Sequence, residues 1–339
     1  MGMMESAGVL TCDRVRAEAT AFQPAWWCRN AHPQTIWAAL LRMAPRVRLI
    51  RARWELPDGD FLDVDELAAE ESVPRLIVLH GLESSSRATA VLGLLSQAHQ
   101  HGWGGVAVNF RGCGGEPNRL RRSYHGGDTA DLAWLINRMQ ARYPDRLLVC
   151  VGISLGGNVL LKFLGEHGDT LPETLRAAAA ISAPFDLAAS VEALERGFSR
   201  VYQHQLVASL KRKTLEKLTR YPDLVDRAAV RAVRTLAEFD DLVTAPLHGF
   251  SGAAAYWAAS SSASFLPRIH RPTLLINAED DPFLPADALP RQAVTENPFL
   301  TAAFTISGGH VGFLTGRWPG VPIAWAEVRA VAFLAEHLQ

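Results

Sequence analysis

A serine flanked by glycines is the strongest chemical signal in the chain. The segment GISLGG (residues 152–157) follows an apolar run and precedes a helical pattern. This is the G-x-S-x-G pattern of a nucleophile elbow, in which a sharp strand-to-helix turn exposes a serine hydroxyl. Glycines two residues to either side remove Cβ atoms that would clash at such a turn. We therefore predict that Ser154 is a nucleophile; the alternative is an ordinary serine in a Gly-rich turn.

An activated serine needs a base and an orienting carboxylate, which fixes the tautomer of the base. His310 lies far downstream among small residues and follows a predicted strand, and the chain order serine, acid, histidine is one of the known orders. Three consecutive acids, Glu279, Asp280 and Asp281, directly follow another apolar run. We favour Asp281 because of its spacing to Pro285, and Asp280 is the second choice.

The negative charge that develops on a reacting carbonyl needs preorganised donors. The backbone N–H of Leu155, directly after the serine, is expected to be one of them. The second is expected from the loop at residues 80–83, from the N–H of Leu82. We interpret His80 as structural, and residues 84–86 (SSS) as caps of the following helix.

The elements that would position these residues alternate along the chain. Apolar runs predict strands, and periodic segments predict helices at 88–98, at 129–139 with Asp128 as its N-cap, and at 157–165. Such alternation indicates an α/β fold with a mostly parallel sheet covered on both faces. Two earlier strands, 47–56 and 60–65, would extend the sheet antiparallel at one edge. The strands expected in the parallel part are 75–79, 105–110, 146–153, 177–181, 273–276 and 304–306.

Domain organisation follows from where this alternation starts and stops. Residues 1–21 are expected to form an N-terminal tail, and residues 22–339 one α/β domain. Residues from about 187 to 265 interrupt the alternation, with helices expected at 206–218 and 224–236, and we predict a helical cap over the sheet edge. Residues 260–264 (SSSAS) are expected to be a polar loop. The basic residues Lys211, Arg212, Lys213 and Lys217 are expected on a solvated helix face, with contact to anionic lipid as the minor alternative.

Composition excludes several classes of function. With 34 basic and 35 acidic residues the net charge is −1, which gives no support to nucleic-acid binding. The four cysteines form no CxxC pair and no Cys/His cluster with zinc spacing, so we expect no metal and no organic cofactor. No stretch approaches the about 18 apolar residues of a membrane span. We expect a cytoplasmic protein that does not span the membrane.

Nine motifs together make the chain resemble the YheT-like α/β-hydrolases, from about residue 22 to residue 315. The resemblance implies the α/β-hydrolase fold and hydrolysis of small-molecule carboxylic esters by a Ser–Asp–His triad, which carries over to Ser154, Asp281 and His310. Ser84 stands where relatives usually have glycine. An acyltransferase with the same triad, or a non-catalytic binding protein, are the alternatives. The matching motifs are NAHPQT (30–35), HGLESSS (80–86), NFRGCGG (109–115), SYHGG (123–127), GISLGGN (152–158), EFD (238–240), APLHGF (245–250), NAEDDPF (277–283) and GGHVGF (308–313).

Overall fold

An eight-stranded sheet in the order β1-β2-β4-β3-β5-β6-β7-β8 organises the computed structural model, which describes residues 22–338. The predicted tail at residues 1–21 lies outside the described residues. Two short strands, β9 and β10, pair separately from the main sheet. The strands are β1 (Leu49–Glu55), β2 (Phe61–Leu67), β3 (Arg75–Leu79), β4 (Gly104–Val108), β5 (Leu148–Ile153), β6 (Leu175–Ile181), β7 (Thr273–Ala278), β8 (Leu300–Thr305), β9 (Leu314–Thr315) and β10 (Ile323–Ala324).

The pairing of these strands confirms the predicted α/β sheet. Strands β3 to β8 run parallel, whereas β1 pairs with β2, and β2 with β4, in antiparallel register. The parallel strands are buried along almost their whole length, which is why they appear in the sequence as continuous apolar runs. Because all six end at one edge of the sheet, the loops that carry the chemical motifs meet there.

Helices cover both faces of the sheet, and each face has its own apolar core. Helices α2 and α12 pack on one face, and α3, α4 and α11 on the other. Within residues 22–338, no helix is long and apolar enough to cross a bilayer. The helices are α1 (Ala31–Ile36), α2 (Thr89–Gln100), α3 (Ala130–Arg142), α4 (Leu155–His167), α5 (Leu187–Leu194), α6 (Ser199–Arg220), α7 (Arg227–Ala232), α8 (Leu236–Phe239), α9 (Ala245–Leu247), α10 (Ala253–Ser260), α11 (Arg291–Glu296) and α12 (Trp325–Glu336).

The segment between β6 and β7 is helical, from α5 to α10, with an apolar core of its own. The expected helix at 224–236 is wrong: α7 ends at Ala232, and a capping box between Thr235 and Glu238 starts α8. The expected polar loop at 260–264 is also wrong, because Ser262 is buried at the start of a 3₁₀ helix, Ser262–Arg268. The division into tail, hydrolase domain and cap stays a prediction.

Two predicted helix caps are wrong as well. Helix α3 begins at Ala130, and Asp128 instead accepts a hydrogen bond from Arg122 at 2.7 Å. Helix α2 begins at Thr89 without a side-chain cap, and Ser86 is turned inward to Asp65. In both places the carboxylate or hydroxyl bonds to another side chain instead of the first turn of the helix.

Candidate active site

Ser154 occupies the turn between β5 and α4 in a conformation that few non-glycine residues adopt. Its φ is 51° and its ψ −122°, and its N–H donates to the carbonyl of Ile181 at 2.8 Å. A Cβ added at Gly152 would lie 2.4 Å from the carbonyl oxygen of Gly156, and one at Gly156 would lie 2.5 Å from that of His80. Neither position therefore admits a side chain, and the strained turn leaves Ser154 half-buried at the sheet edge.

The structure brings His310 and Asp281 to this serine. The Nε2 atom of His310 lies 2.9 Å from Ser154 Oγ, and its Nδ1 lies 2.9 Å from Asp281 Oδ2. The side chain of Asp281 is 0% exposed and also accepts the N–H of Phe283 at 2.8 Å. Asp280 does not touch the ring; its carboxylate accepts the N–H of Gly309 at 2.8 Å. Of the acids left open by the sequence, Asp281 is thus the one placed on the imidazole.

The loop after β3 passes directly beside Ser154. A Cβ at Gly81 would lie 3.1 Å from Ser154 Cβ, so the glycine permits this close approach. Leu82 is the next residue along the loop, and Leu155 begins α4. In the described part of the chain, the backbone N–H groups of Leu82 and Leu155 have no acceptor in the protein, which leaves them available to an oxygen at this site.

His80 is enclosed below this loop. Its Nε2 accepts the N–H of Phe110 at 3.2 Å, and its Nδ1 lies 2.7 Å from the carbonyl of Gly81. Burial lowers the pKa of His80 to about 4. The ring is therefore neutral at physiological pH. It hydrogen-bonds the loop after β3 at Gly81 and the loop after β4 at Phe110, which agrees with the structural role predicted for His80.

Glu83 anchors the same loop through a buried carboxylate. Tyr124 donates to it at 2.9 Å and Ser209 at 2.6 Å, and Lys213 Nζ lies 3.1 Å away. Glu83 also has a positive φ of 55°, so the loop is held in a strained conformation by these contacts. Ser209 and Lys213 belong to α6, which joins the loop to the inserted helices.

The predicted solvated face of α6 is therefore wrong for two of its lysines. Lys213 faces Glu83, and its Nζ also lies 3.1 Å from Cys113 Sγ. Lys217 is buried and donates to Asn118 Oδ1 at 2.8 Å. The basic run looked like a surface patch because the partners of these lysines lie about a hundred residues away in the chain.

The N-terminal segment at residues 30–35 holds the loop that carries His310. The N–H of His310 donates to Thr35 Oγ1 at 2.9 Å. Gln34 is buried and forms a double hydrogen bond with the backbone of Leu314, at 2.6 and 3.0 Å. Gly309 packs so closely on this segment that a Cβ there would lie 2.4 Å from the carbonyl of Ala31. The sequence assigned no role to Thr35, Gln34 or Glu83; the only signal was their presence in matching motifs.

This arrangement can perform nucleophilic catalysis. The imidazole nitrogen is within hydrogen-bonding distance of the serine hydroxyl, and the buried carboxylate holds the opposite nitrogen. Among the described residues, no group of three or more His, Cys, Asp or Glu side chains is arranged to hold a metal ion.

Comparisons with known proteins identify the family and the fold. A family described as "alpha/beta hydrolase fold" matches residues 74–316. The Escherichia coli protein named "Putative esterase YheT" is 39% identical, covering 98% of both chains. A mouse protein named "Phospholipase ABHD3" is 28% identical, covering 88% of this chain and 74% of its own. The solved esterase Pf2001 of Pyrococcus furiosus shares the fold, with a TM-score of 0.57, 16% identity, and coverage of 88% of this chain and 99% of its own.

Proposed function

Because the chain belongs to the α/β-hydrolase family and its YheT-like group of esterase- and lipase-type proteins, we propose that it is a serine hydrolase that cleaves small-molecule carboxylic esters. The observation that carries the proposal is the hydrogen-bonded series of Ser154, His310 and Asp281, with both links at 2.9 Å. Ser154 is the nucleophile, His310 the general base, and Asp281 the group that orients it.

The first half of the reaction forms an acyl-enzyme. His310 Nε2 takes the proton of Ser154 Oγ as the oxygen attacks the ester carbonyl, and Asp281 stabilises the resulting imidazolium. The carbonyl oxygen gains negative charge and accepts hydrogen bonds from the N–H groups of Leu82 and Leu155. When the intermediate collapses, His310 gives its proton to the leaving alcohol oxygen.

The second half releases the acid. His310 removes a proton from a water molecule, which attacks the acyl carbonyl, and the serine leaves with the proton returned by the imidazolium. The same two N–H groups stabilise the second oxyanion.

A fluorophosphonate probe tests the proposal directly, because it phosphonylates an activated serine. We expect stoichiometric labelling of the wild-type protein and none of the Ser154→Ala variant, whose folding is checked by circular dichroism. Turnover of p-nitrophenyl esters should fall by a factor of about 10⁴ or more in the same variant. The proposal would be contradicted if folded wild-type protein neither reacted with the fluorophosphonate probe nor hydrolysed esters. Addition of competing alcohols separates hydrolysis from acyl transfer, since a hydrolase gives the free acid as its main product.

A further inference from the structure

A series of aromatic rings extends from the imidazole of His310 towards solvent. The ring of Phe283 stacks on that of His310, with centroids 4.0 Å apart and planes within 1°. Tyr202 lies 5.0 Å from Phe283, and Phe198 lies 5.8 Å from Tyr202. His32, from the N-terminal segment, lies 4.7 Å from Phe198. We call Phe283, Tyr202, Phe198 and His32 the aromatic surface.

The outer end of the aromatic surface is exposed. Phe198 is 50% exposed, and Val201, three residues further along, is 54% exposed. Phe198 directly precedes α6 in a helical conformation, and residues three apart in a helical turn lie on one face, so both side chains lie on the same face at the start of α6. One polar contact lies within this surface: His32 Nδ1 is 3.1 Å from the hydroxyl of Tyr202. The surface therefore offers ring faces and edges to an apolar ligand.

The direction of proton transfer determines which part of an ester meets these rings. His310 must donate its proton to the oxygen of the leaving alcohol, so that oxygen lies next to Nε2 and the alcohol leaves from the side of the site where the ring of Phe283 stacks on His310. The carbonyl oxygen instead points towards Leu82 and Leu155. We propose that the aromatic surface binds the alcohol part of the ester, and that the preferred substrates carry a large apolar alcohol. The inference rests on the proposed function.

The two parts of an ester can be varied separately to test this assignment. One set of butanoate esters differs only in the alcohol, ethanol or 2-naphthol, and a second set of ethyl esters differs only in acyl length. Esters of one acid share the same acyl-enzyme, so a defect in alcohol binding affects kcat/KM through acylation and leaves deacylation unchanged.

The variant Phe198→Ala should lower kcat/KM for the naphthyl ester about tenfold and that for the ethyl ester by less than about twofold. Val201→Ser, an independent change on the same face, should act in the same direction. Phe299→Ala is the matched control, because Phe299 is also partly exposed, at 39%, but precedes β8 at the opposite edge of the sheet. The Phe299→Ala variant should have the same kcat/KM as the wild type for both esters.

Three outcomes overturn the assignment: equal losses for both alcohols, a loss that grows with acyl length, or the same loss in Phe299→Ala. The second outcome would make the surface an acyl site. Fluorophosphonate labelling of Ser154 is measured on every variant. Retained labelling with unchanged alcohol preference rejects this inference alone, whereas absence of labelling in the wild type rejects the proposed function.

Discussion

The carboxylate of Glu83 and the ammonium group of Lys213 form an ion pair, with 3.1 Å between Oε1 and Nζ. Glu83 follows Leu82, whose N–H is proposed to stabilise the oxyanion, and Lys213 lies in α6. The Leu82 side chain also packs against the core of the inserted helices. Helix α6 thus contacts the loop that carries Leu82 through Ser209 and Lys213, and it contacts the ring of Phe283, next to His310, through Tyr202. Helix α6 therefore supports both the proposed oxyanion donor, Leu82, and the surroundings of the proposed base, His310.

Lys213→Met should lower kcat while changing KM much less. The methionine retains an unbranched stem but cannot pair with Glu83, so the loop that carries the Leu82 N–H loses one anchor. Removing an oxyanion donor outright costs about 10²–10³ in kcat, and a displaced donor should cost about tenfold. Steady-state kinetics on a p-nitrophenyl ester measure the two constants.

Lys211→Met is the matched control, because Lys211 lies on the same helix but donates to the backbone carbonyls of Arg231 and Val233. We expect its kcat to stay close to that of the wild type. Equal losses in the two variants would mean that α6 is merely destabilised, and an unchanged kcat in Lys213→Met would show that the ion pair does not position the loop.

Asp281→Asn should lower kcat by about 10⁴, because the amide no longer fixes the tautomer of His310 or stabilises its imidazolium. Asp280→Asn should cost less than about tenfold, since the asparagine Oδ1 can still accept the N–H of Gly309. Comparing kcat of the two variants assigns the acid. A larger loss in Asp280→Asn would transfer the orienting role to that residue and contradict the observed contacts.

The sheet and the serine turn were predictable from the sequence because their causes are local. A strand buried on both faces is a continuous apolar run, as in Arg75–Leu79, and the glycines at 152 and 156 mark the close backbone contacts of the turn. His310, preferred because its loop follows a predicted strand and because of the chain order, does lie within hydrogen-bonding distance of Ser154. The spacing to Pro285 favoured Asp281 over Asp280, but only the path of the loop decides which of two adjacent carboxylates lies on the imidazole.

The supporting contacts were not predictable because they join distant parts of the chain. Thr35 and His310 are 275 residues apart, and Glu83 and Lys213 are 130 apart. A lysine that faces a buried acid has the same local pattern as one that faces water, so Lys213 was assigned to a solvated face. The predicted caps were wrong because Asp128 and Ser86 have side-chain partners, Arg122 and Asp65, that the capping pattern does not include.

Thr35→Val should reduce activity although Thr35 touches no reacting atom. Valine has nearly the same shape but removes the hydroxyl that accepts the His310 N–H, and an unpaired buried donor costs about 1–3 kcal/mol. We expect kcat/KM to fall about tenfold as the ring of His310 shifts from Ser154. Thr35→Ser keeps the hydroxyl and should retain most of the activity. If serine and valine lower the rate of fluorophosphonate labelling equally, the hydroxyl has no positioning role.

Three enclosed histidines, of which His80 is fully buried, should make the fold sensitive to acid. Burial lowers the pKa of His80 to about 4, of His125 to about 3 and of His248 to about 4, whereas the ordinary value is 6.5. Below pH 6.5 the unfolded chain binds protons that the folded chain excludes, so this stability is fully present above pH 6.5 and is lost as the pH falls towards 4. The titration of His80 alone should lower the free energy of unfolding by about 2 kcal/mol at pH 5.

Urea unfolding at pH 8 and pH 5 measures this loss, and the variant His80→Gln isolates the share of His80. Glutamine has a donor for the Gly81 carbonyl and an acceptor for the Phe110 N–H, but it does not titrate. Between pH 8 and pH 5, the free energy of unfolding of the variant should therefore fall by about 2 kcal/mol less than that of the wild type. His101→Gln, on an exposed histidine, is the control and should keep the wild-type dependence on pH. If His80→Gln keeps it too, the His80 ring accepts a proton in the folded state, and its enclosure between Gly81 and Phe110 does not exclude the imidazolium.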